Sequence, residues 1–129
     1  MGKVAFMDTQ TSRRSDPECI FCQIVSGEIP ADIVHEDEAT IAFRDLQPQA
    51  PVHVLVIPRH HVDGVAELAR ERPEDTVALL RAVEDVAVKL RVATTGYRGV
   101  FNRGLDAEQS IFHAHVHVLG GRELQWPPG

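Results

Sequence analysis

The sequence predicts an α+β domain: an antiparallel sheet of about five strands packed with one long helix and one short N-terminal helix. Five short segments read as strands: Ile33 to His35, Thr40 to Arg44, Val52 to Ile57, Gly99 to Asn102 and the alternating run Phe112-His113-Ala114-His115-Val116-His117-Val118-Leu119. Only Pro73 to about Val92 repeats apolar residues at helical spacing over several turns, so the strands do not alternate with helices as a parallel sheet requires. No repeat and no second composition block divides the 129 residues, a length suited to one domain.

Each element follows from local chemistry. Residues 1–16 are polar and without periodicity, which predicts a disordered leader before a single domain over 17–129. Asp16 is a candidate N-cap with Pro17 at the first helical position; Ile20, Phe21, Ile24 and Val25 form a short apolar stripe, Gly27 closes it and Pro30 prevents continuation. Glu36-Asp37-Glu38 joins the first two strands as a hairpin, and Gln47-Pro48-Gln49-Ala50-Pro51 forces a loop. Val52 to Ile57 is β-branched and apolar, a buried strand that carries His53 on one face and exits at Pro58. In the long helix Val77, Leu80, Val83, Ala87 and Leu90 form the apolar stripe, with Arg81, Glu84, Asp85 and Lys89 among them. Arg103 to Glu108 is a loop before the histidine strand, and Trp126-Pro127-Pro128-Gly129 cannot be helical.

Composition excludes several function classes. A net charge of −6 leaves no basic surplus to neutralise nucleic-acid phosphates or anionic lipid, although a small phosphate ligand can still be held by local dipoles. No apolar stretch approaches the ~20 residues that span a bilayer, and no signal-peptide core is present, so the expected location is cytoplasmic. The only cysteines, Cys19 and Cys22, are too close together to staple distant segments. Such a C-x2-C pair is open to redox, metal or merely structural readings, and the βαβ context of a thioredoxin-type motif is missing.

The histidine run carries the chemistry. A strand sends alternate side chains to one face, so His113, His115 and His117 point to one place at about 7 Å intervals while Ala114, Val116 and Val118 fill the other face. Three of the seven histidines at strict period two are a poor match for an incidental polar face. A metal site built from all three is a rival, but zinc usually draws ligands from several elements.

With this pattern, the chain resembles the histidine triad (HIT) superfamily, in particular the histidine triad nucleotide-binding (Hint) branch. Besides the triad, Phe43, Asp45, Pro48-Gln49-Ala50-Pro51, Val56-Ile57-Pro58, Gln109-Ser110, Leu119-Gly120-Gly121 and the terminal Trp126-Pro127-Pro128-Gly129 fall where that branch has them. The resemblance implies a HIT-like fold whose sheet continues across a homodimer, and a purine nucleoside phosphoramidase. In that activity a histidine attacks the α-phosphorus of a nucleoside 5′-phosphoramidate such as adenosine 5′-monophosphoramidate, and water then releases AMP.

By position the resemblance makes His115 the nucleophile and His53 its support, and sets His117 and Ser110 on the phosphate oxygens and the scissile bridge. It gives Gln109 and Asn102 as amide donors, Asp45 as the ribose acceptor, and Ile20, Phe21, Ile24, Phe43 and Leu46 as the apolar slot for the base. Neutral imidazole is available near pH 7 and leaves well once phosphorylated, so one hard displacement becomes two easier ones. Relatives with the cysteine pair hold structural zinc on positions occupied here by Cys19, Cys22, His61 and His113, with His60 expected as a surface residue. The tail is expected to wall the leaving-group side, across the dimer interface. Alternatives are a dinucleoside polyphosphate hydrolase of the same superfamily and a nucleotide- or zinc-binding regulatory module without relevant turnover.

Overall fold

A computed structural model describes residues 13–129, so the expected leader lies outside the described residues up to position 12. Its last residues are tied down. The backbone N–H of Arg14 donates to His60 Nδ1 at 2.8 Å, and the Arg14 carbonyl accepts from the His61 N–H at 2.9 Å.

The elements in order are α1 (Ile20–Ser26), β1 (Ile33–Glu36), β2 (Thr40–Arg44), β3 (Val52–Pro58), α2 (Val65–Glu71), α3 (Pro73–Lys89), β4 (Tyr97–Val100), a 3-10 turn (Leu105–Ala107) and β5 (Val116–Gly120). The five strands form one antiparallel sheet in the order β1-β2-β3-β5-β4. Ala42, Val54, Val56, Val116 and Val118 cover one face and pack with Leu68 of α2 and Leu79, Ala82, Val83 and Val86 of α3. The opposite face carries Ile41, Phe43, Leu55 and Ile57, covered by Phe21 and Ile24 of α1. Period-two alternation thus builds two cores, one on each face of the sheet.

Several expectations are corrected. The N-cap of α1 is Cys19, whose Sγ accepts the Cys22 N–H, and not Asp16, which makes its own turn by accepting the Glu18 N–H at 2.9 Å. Gly27 closes α1 as expected with φ 86°, a left-handed conformation suited to glycine. The stripe of α3 is rotated: Leu79, Ala82, Val83, Val86 and Ala87 are buried, whereas Val77 and Leu80 are 51% and 56% exposed. Its apolar residues surround more of the helix than one stripe needs, so periodicity alone admits two phases and packing on β3 selects one. The helix ends at Lys89 rather than Val92, and β4 begins two residues earlier than expected. The seven-residue α2, unforeseen, is too short to show a period, and Arg72, with non-helical φ −142° and ψ 74°, separates it from α3.

The histidine run is the largest departure. Strand pairing begins only at Val116, and of the three histidines His117 alone lies in β5. Before it the backbone leaves the ladder, and the Ala114 N–H donates to the Val62 carbonyl at 2.8 Å. Among the described residues no helix is long and apolar enough to cross a membrane.

The phase of α3 is directly testable. Leu79 is fully buried, so Leu79→Ala is expected to lower unfolding free energy by about 2–5 kcal/mol in urea titration. A loss under about 1 kcal/mol would place the core on another face of the helix.

Candidate active site and metal centre

The register of β3 and β5 sets His53 opposite Leu119 and His117 opposite Leu55, so both imidazoles stand on the α1 face of the sheet as diagonal neighbours. His53 Nε2 and His117 Nδ1 are 2.9 Å apart. The backbone N–H of Gln49 donates to His53 Nδ1 at 3.0 Å, which requires a lone pair there and puts the proton of neutral His53 on Nε2. That proton is donated to His117 Nδ1, so neutral His117 carries its own proton on Nε2. A carboxylate oxygen of Asp45 lies 3.4 Å from His53 Nε2, at the end of β2, while its other oxygen accepts the Gln47 N–H at 2.8 Å.

His115 is fixed in the complementary tautomer. Its Nδ1 lies 2.7 Å from the His113 carbonyl, which can only accept, so Nδ1 bears the proton and Nε2 bears a free lone pair. Its ring is perpendicular to that of Phe21, with centroids 5.3 Å apart and an interplanar angle of 90°, and its centroid stands 5.1 Å from that of His117. Burial holds His115 below the ordinary imidazole range, opposed by the His113 carbonyl and by Asp45. Burial, then the neighbouring His115 and His53, pushes His117 down to about 4, with Asp45 opposing. Burial lowers His53 as well, so all three rings are held toward the neutral form.

On the other side of the same segment His113 turns away from this group. Its Nε2–H donates to the Pro58 carbonyl at 2.8 Å, leaving the Nδ1 lone pair to face His61 Nδ1 at 3.1 Å, Cys19 Sγ at 3.5 Å and Cys22 Sγ at 3.6 Å. Cys22 Sγ lies 3.4 Å from His61 Nδ1, and all four donor atoms fall within 4.8 Å of one another. A tetrahedron with metal–N near 2.0 Å and metal–S near 2.3 Å has edges of about 3.3–3.8 Å, so these donors are spaced to fit zinc-like coordination. The Pro58 carbonyl supplies the outer hydrogen bond that orients a ligating histidine.

The remaining expected residues divide. Asn102 lines a cavity of about 450 Å³ with His53, His117, Gln49 and Arg98, and Pro128 and Gly129 of the tail line it within the same chain. Phe21, Ile24 and Phe43 are buried together, whereas Ile20 is partly exposed and Leu46 is 95% exposed. Ser110 is exposed, lines a different cavity with Cys19 and His61, and among the described residues has no hydrogen-bond partner.

Gln109 corrects an expectation: it is buried, its Nε2 donates to the Asp63 and Ile111 carbonyls, and its Oε1 accepts the Gly104 N–H. Both ends of the amide are committed to holding its loop, so it is not a free donor for a ligand. His60 is likewise no surface residue; it is buried, accepts from Arg14, and faces Glu71 at 3.3 Å. Gln49 and Arg98 escaped sequence reasoning, because a backbone N–H and a lone arginine on a strand leave no spacing signal.

The HIT domain family matches residues 26–124. A "14 kDa zinc-binding protein" of Zea mays is 45% identical over 119 residues, covering 91% of this chain and 92% of that protein. The "Adenylylsulfatase HINT1" of Arabidopsis thaliana is 44% identical over 117 residues, covering 89% of this chain and 79% of that protein. A HIT family hydrolase from Legionella pneumophila superposes with a TM-score of 0.83 at 41% identity, over 87% of this chain and all of that one.

Depressed basicity predicts a pH response. Between 6.5, the ordinary value, and about 4, the unfolded chain binds a proton at His117 that the folded chain refuses, so stability falls with pH in that window and is unaffected above it. His117→Asn is therefore expected to flatten the slope of urea midpoint against pH between 6.5 and 4. Parallel profiles for the two proteins would show that His117 titrates normally.

Proposed function

The chain belongs to the HIT domain family, and we propose that within it the protein is a purine nucleoside phosphoramidase that works through a nucleotidyl-histidine on His115. One observation carries the reading: the His113 carbonyl holds the proton of His115 on Nδ1 and leaves Nε2 as the free nucleophile, beside His117.

In the proposed reaction His115 Nε2 attacks the α-phosphorus of a nucleoside 5′-phosphoramidate. The P–N bond breaks with its electron pair on nitrogen, and a proton taken up from water lets the amine depart neutral. The imidazolium formed on His115 is stabilised by the His113 carbonyl and by the negative field of Asp45, both of which favour the charged ring. His117 Nε2–H, held outward by the His53 and Gln49 relay, donates to a phosphoryl oxygen. Water then attacks phosphorus, the P–Nε2 bond breaks, the spare proton goes to solvent and AMP is released.

Asp45, beside His53 at the end of β2, is assigned the ribose hydroxyls. Phe21, Ile24 and Phe43 are assigned the floor of the base slot, Ile20 and Leu46 its rim, and Ser110 contact with the departing nitrogen. A homodimer is supported by Val77, Leu80 and Val88, all exposed on α3, and by the free edge of β4.

The donor set Cys19, Cys22, His61 and His113 is assigned zinc. Four protein ligands leave no open position, so the metal would brace the segment rather than take part in turnover. The expected zinc content is about one per chain, and Cys22→Ser is expected to lose the metal and lower thermal stability more than it lowers turnover. Elemental analysis without zinc in protein prepared free of chelator would refute this assignment.

The covalent step is tested with adenosine 5′-phosphoramidate. His115→Ala is expected to lower turnover by about 10³-fold or more, and acid quench of wild type should trap AMP on His115, mapped by mass spectrometry. An adduct on His113 or His117, or near-normal turnover in the variant, would overturn the mechanism.

A further inference from the structure

Ahead of α1 the chain lies as a strap beside the donor set of Cys19, Cys22, His61 and His113, and its main chain is bonded to Cys22 and His61 as well as to their surroundings. The Arg14 carbonyl accepts the His61 N–H at 2.9 Å, and the Asp16 N–H donates to Cys22 Sγ at 3.4 Å. The Arg14 N–H donates to Nδ1 of the buried His60 at 2.8 Å. Glu71 of α2 faces His60 Nε2 at 3.3 Å and pairs with the Arg14 guanidinium, so one carboxylate holds both the strap and its seat. At the far end the Asp16 carbonyl accepts the N–H of Cys19, the N-cap of α1, at 3.0 Å.

The strap also separates the donor atoms from solvent. Cys19 and His61 line a cavity of about 400 Å³, whereas Cys22 lines another of about 210 Å³, and Asp16 belongs to the walls of both. Ser15, Asp16 and Pro17 stand beside Cys22, which is buried. Removing these residues would join the two spaces at the sulfur.

The bond to Cys22 couples the strap to metal. An N–H bonds a thiolate more strongly than a thiol because the acceptor is charged, and coordination keeps a cysteine deprotonated. A His61 ring held through Nδ1 likewise steadies the backbone N–H that the Arg14 carbonyl accepts. A contact that bound metal strengthens must strengthen metal binding by the same factor.

We propose that residues 13–16 are a metal-responsive strap, docked on His60, His61 and Cys22 when the donor set holds zinc, released when it does not, and slowing the escape of metal while docked. The inference rests on the zinc reading of that donor set and deepens it. The strap lies outside residues 26–124, the part of the chain that the HIT domain family covers, so it is a device of this chain's own N-terminal segment.

Release of zinc from the full chain to a chromogenic chelator tests the strap without turnover. Arg14→Pro removes the N–H given to His60 and is expected to speed release about tenfold. Arg14→Gln keeps the backbone bonds, loses only an exposed ion pair, and is expected to stay within about twofold of wild type. A chain that begins at Pro17 should release zinc at least as fast as Arg14→Pro, and decides the matter if that variant does not fold. Zinc bound by every protein and released at one common rate would overturn the strap and leave the metal site standing. Failure of wild type to bind zinc would overturn both.

A second arm needs only wild type. With zinc bound, trypsin is expected to spare the bonds after Arg13 and Arg14. Once chelator has taken the metal, mass spectrometry should find these two bonds cut well before the bond after Arg81, within α3. Equal cleavage after Arg13 and Arg14 with and without zinc would overturn the proposal, and so would simultaneous loss of the Arg81 bond, which would make the response one of the whole fold.

Discussion

The hydrogen bond from His115 Nδ1 to the carbonyl of His113, two residues back in the same chain, is the contact on which the site depends. In a continued antiparallel ladder the carbonyls of this stretch would be directed alternately at β3 and at β4, and a local side chain could not claim one. Ladder pairing with β3 stops at Val56 and Val116, and the chain instead anchors Ala114 to the Val62 carbonyl. The cost is a few lost strand hydrogen bonds. What results is an imidazole, His115, whose tautomer is set by its own backbone.

That irregular segment also joins the two halves of the chemistry. His113 uses three groups in three directions: Nε2–H toward Pro58, Nδ1 toward the cysteines and His61, and its carbonyl toward His115. A metal on the Nδ1 side would fix the backbone atom that orients His115, without contact to the free Nε2 of that ring. Phe21 reinforces the link, since its ring packs edge-on against both His113 and His115. The helix that carries Phe21 is capped by Cys19 and holds Cys22, so it belongs to both sites.

Charge is distributed unequally across the sheet. Asp45 on the β2 side tempers the burial of all three neutral histidines, while the arginines gather on the β4 side.

Much of this was legible in the sequence. Alternation at Val52 to Ile57 and the turn residues around it specify a buried strand with His53 on one face, because a strand has only two faces and one must be apolar. The histidine pattern and the cysteine pair single out both sites, since few other roles tolerate such residues at such spacing. Tertiary structure decided the rest. The phase of α3, the break in the histidine strand, the burial of Gln109 and His60, and the approach of Gln49 and Arg98 to the histidines all depend on contacts between distant segments. Local propensity sets which elements can form and which faces they offer, but donor and acceptor roles are assigned by partners that only the folded chain brings within 3 Å.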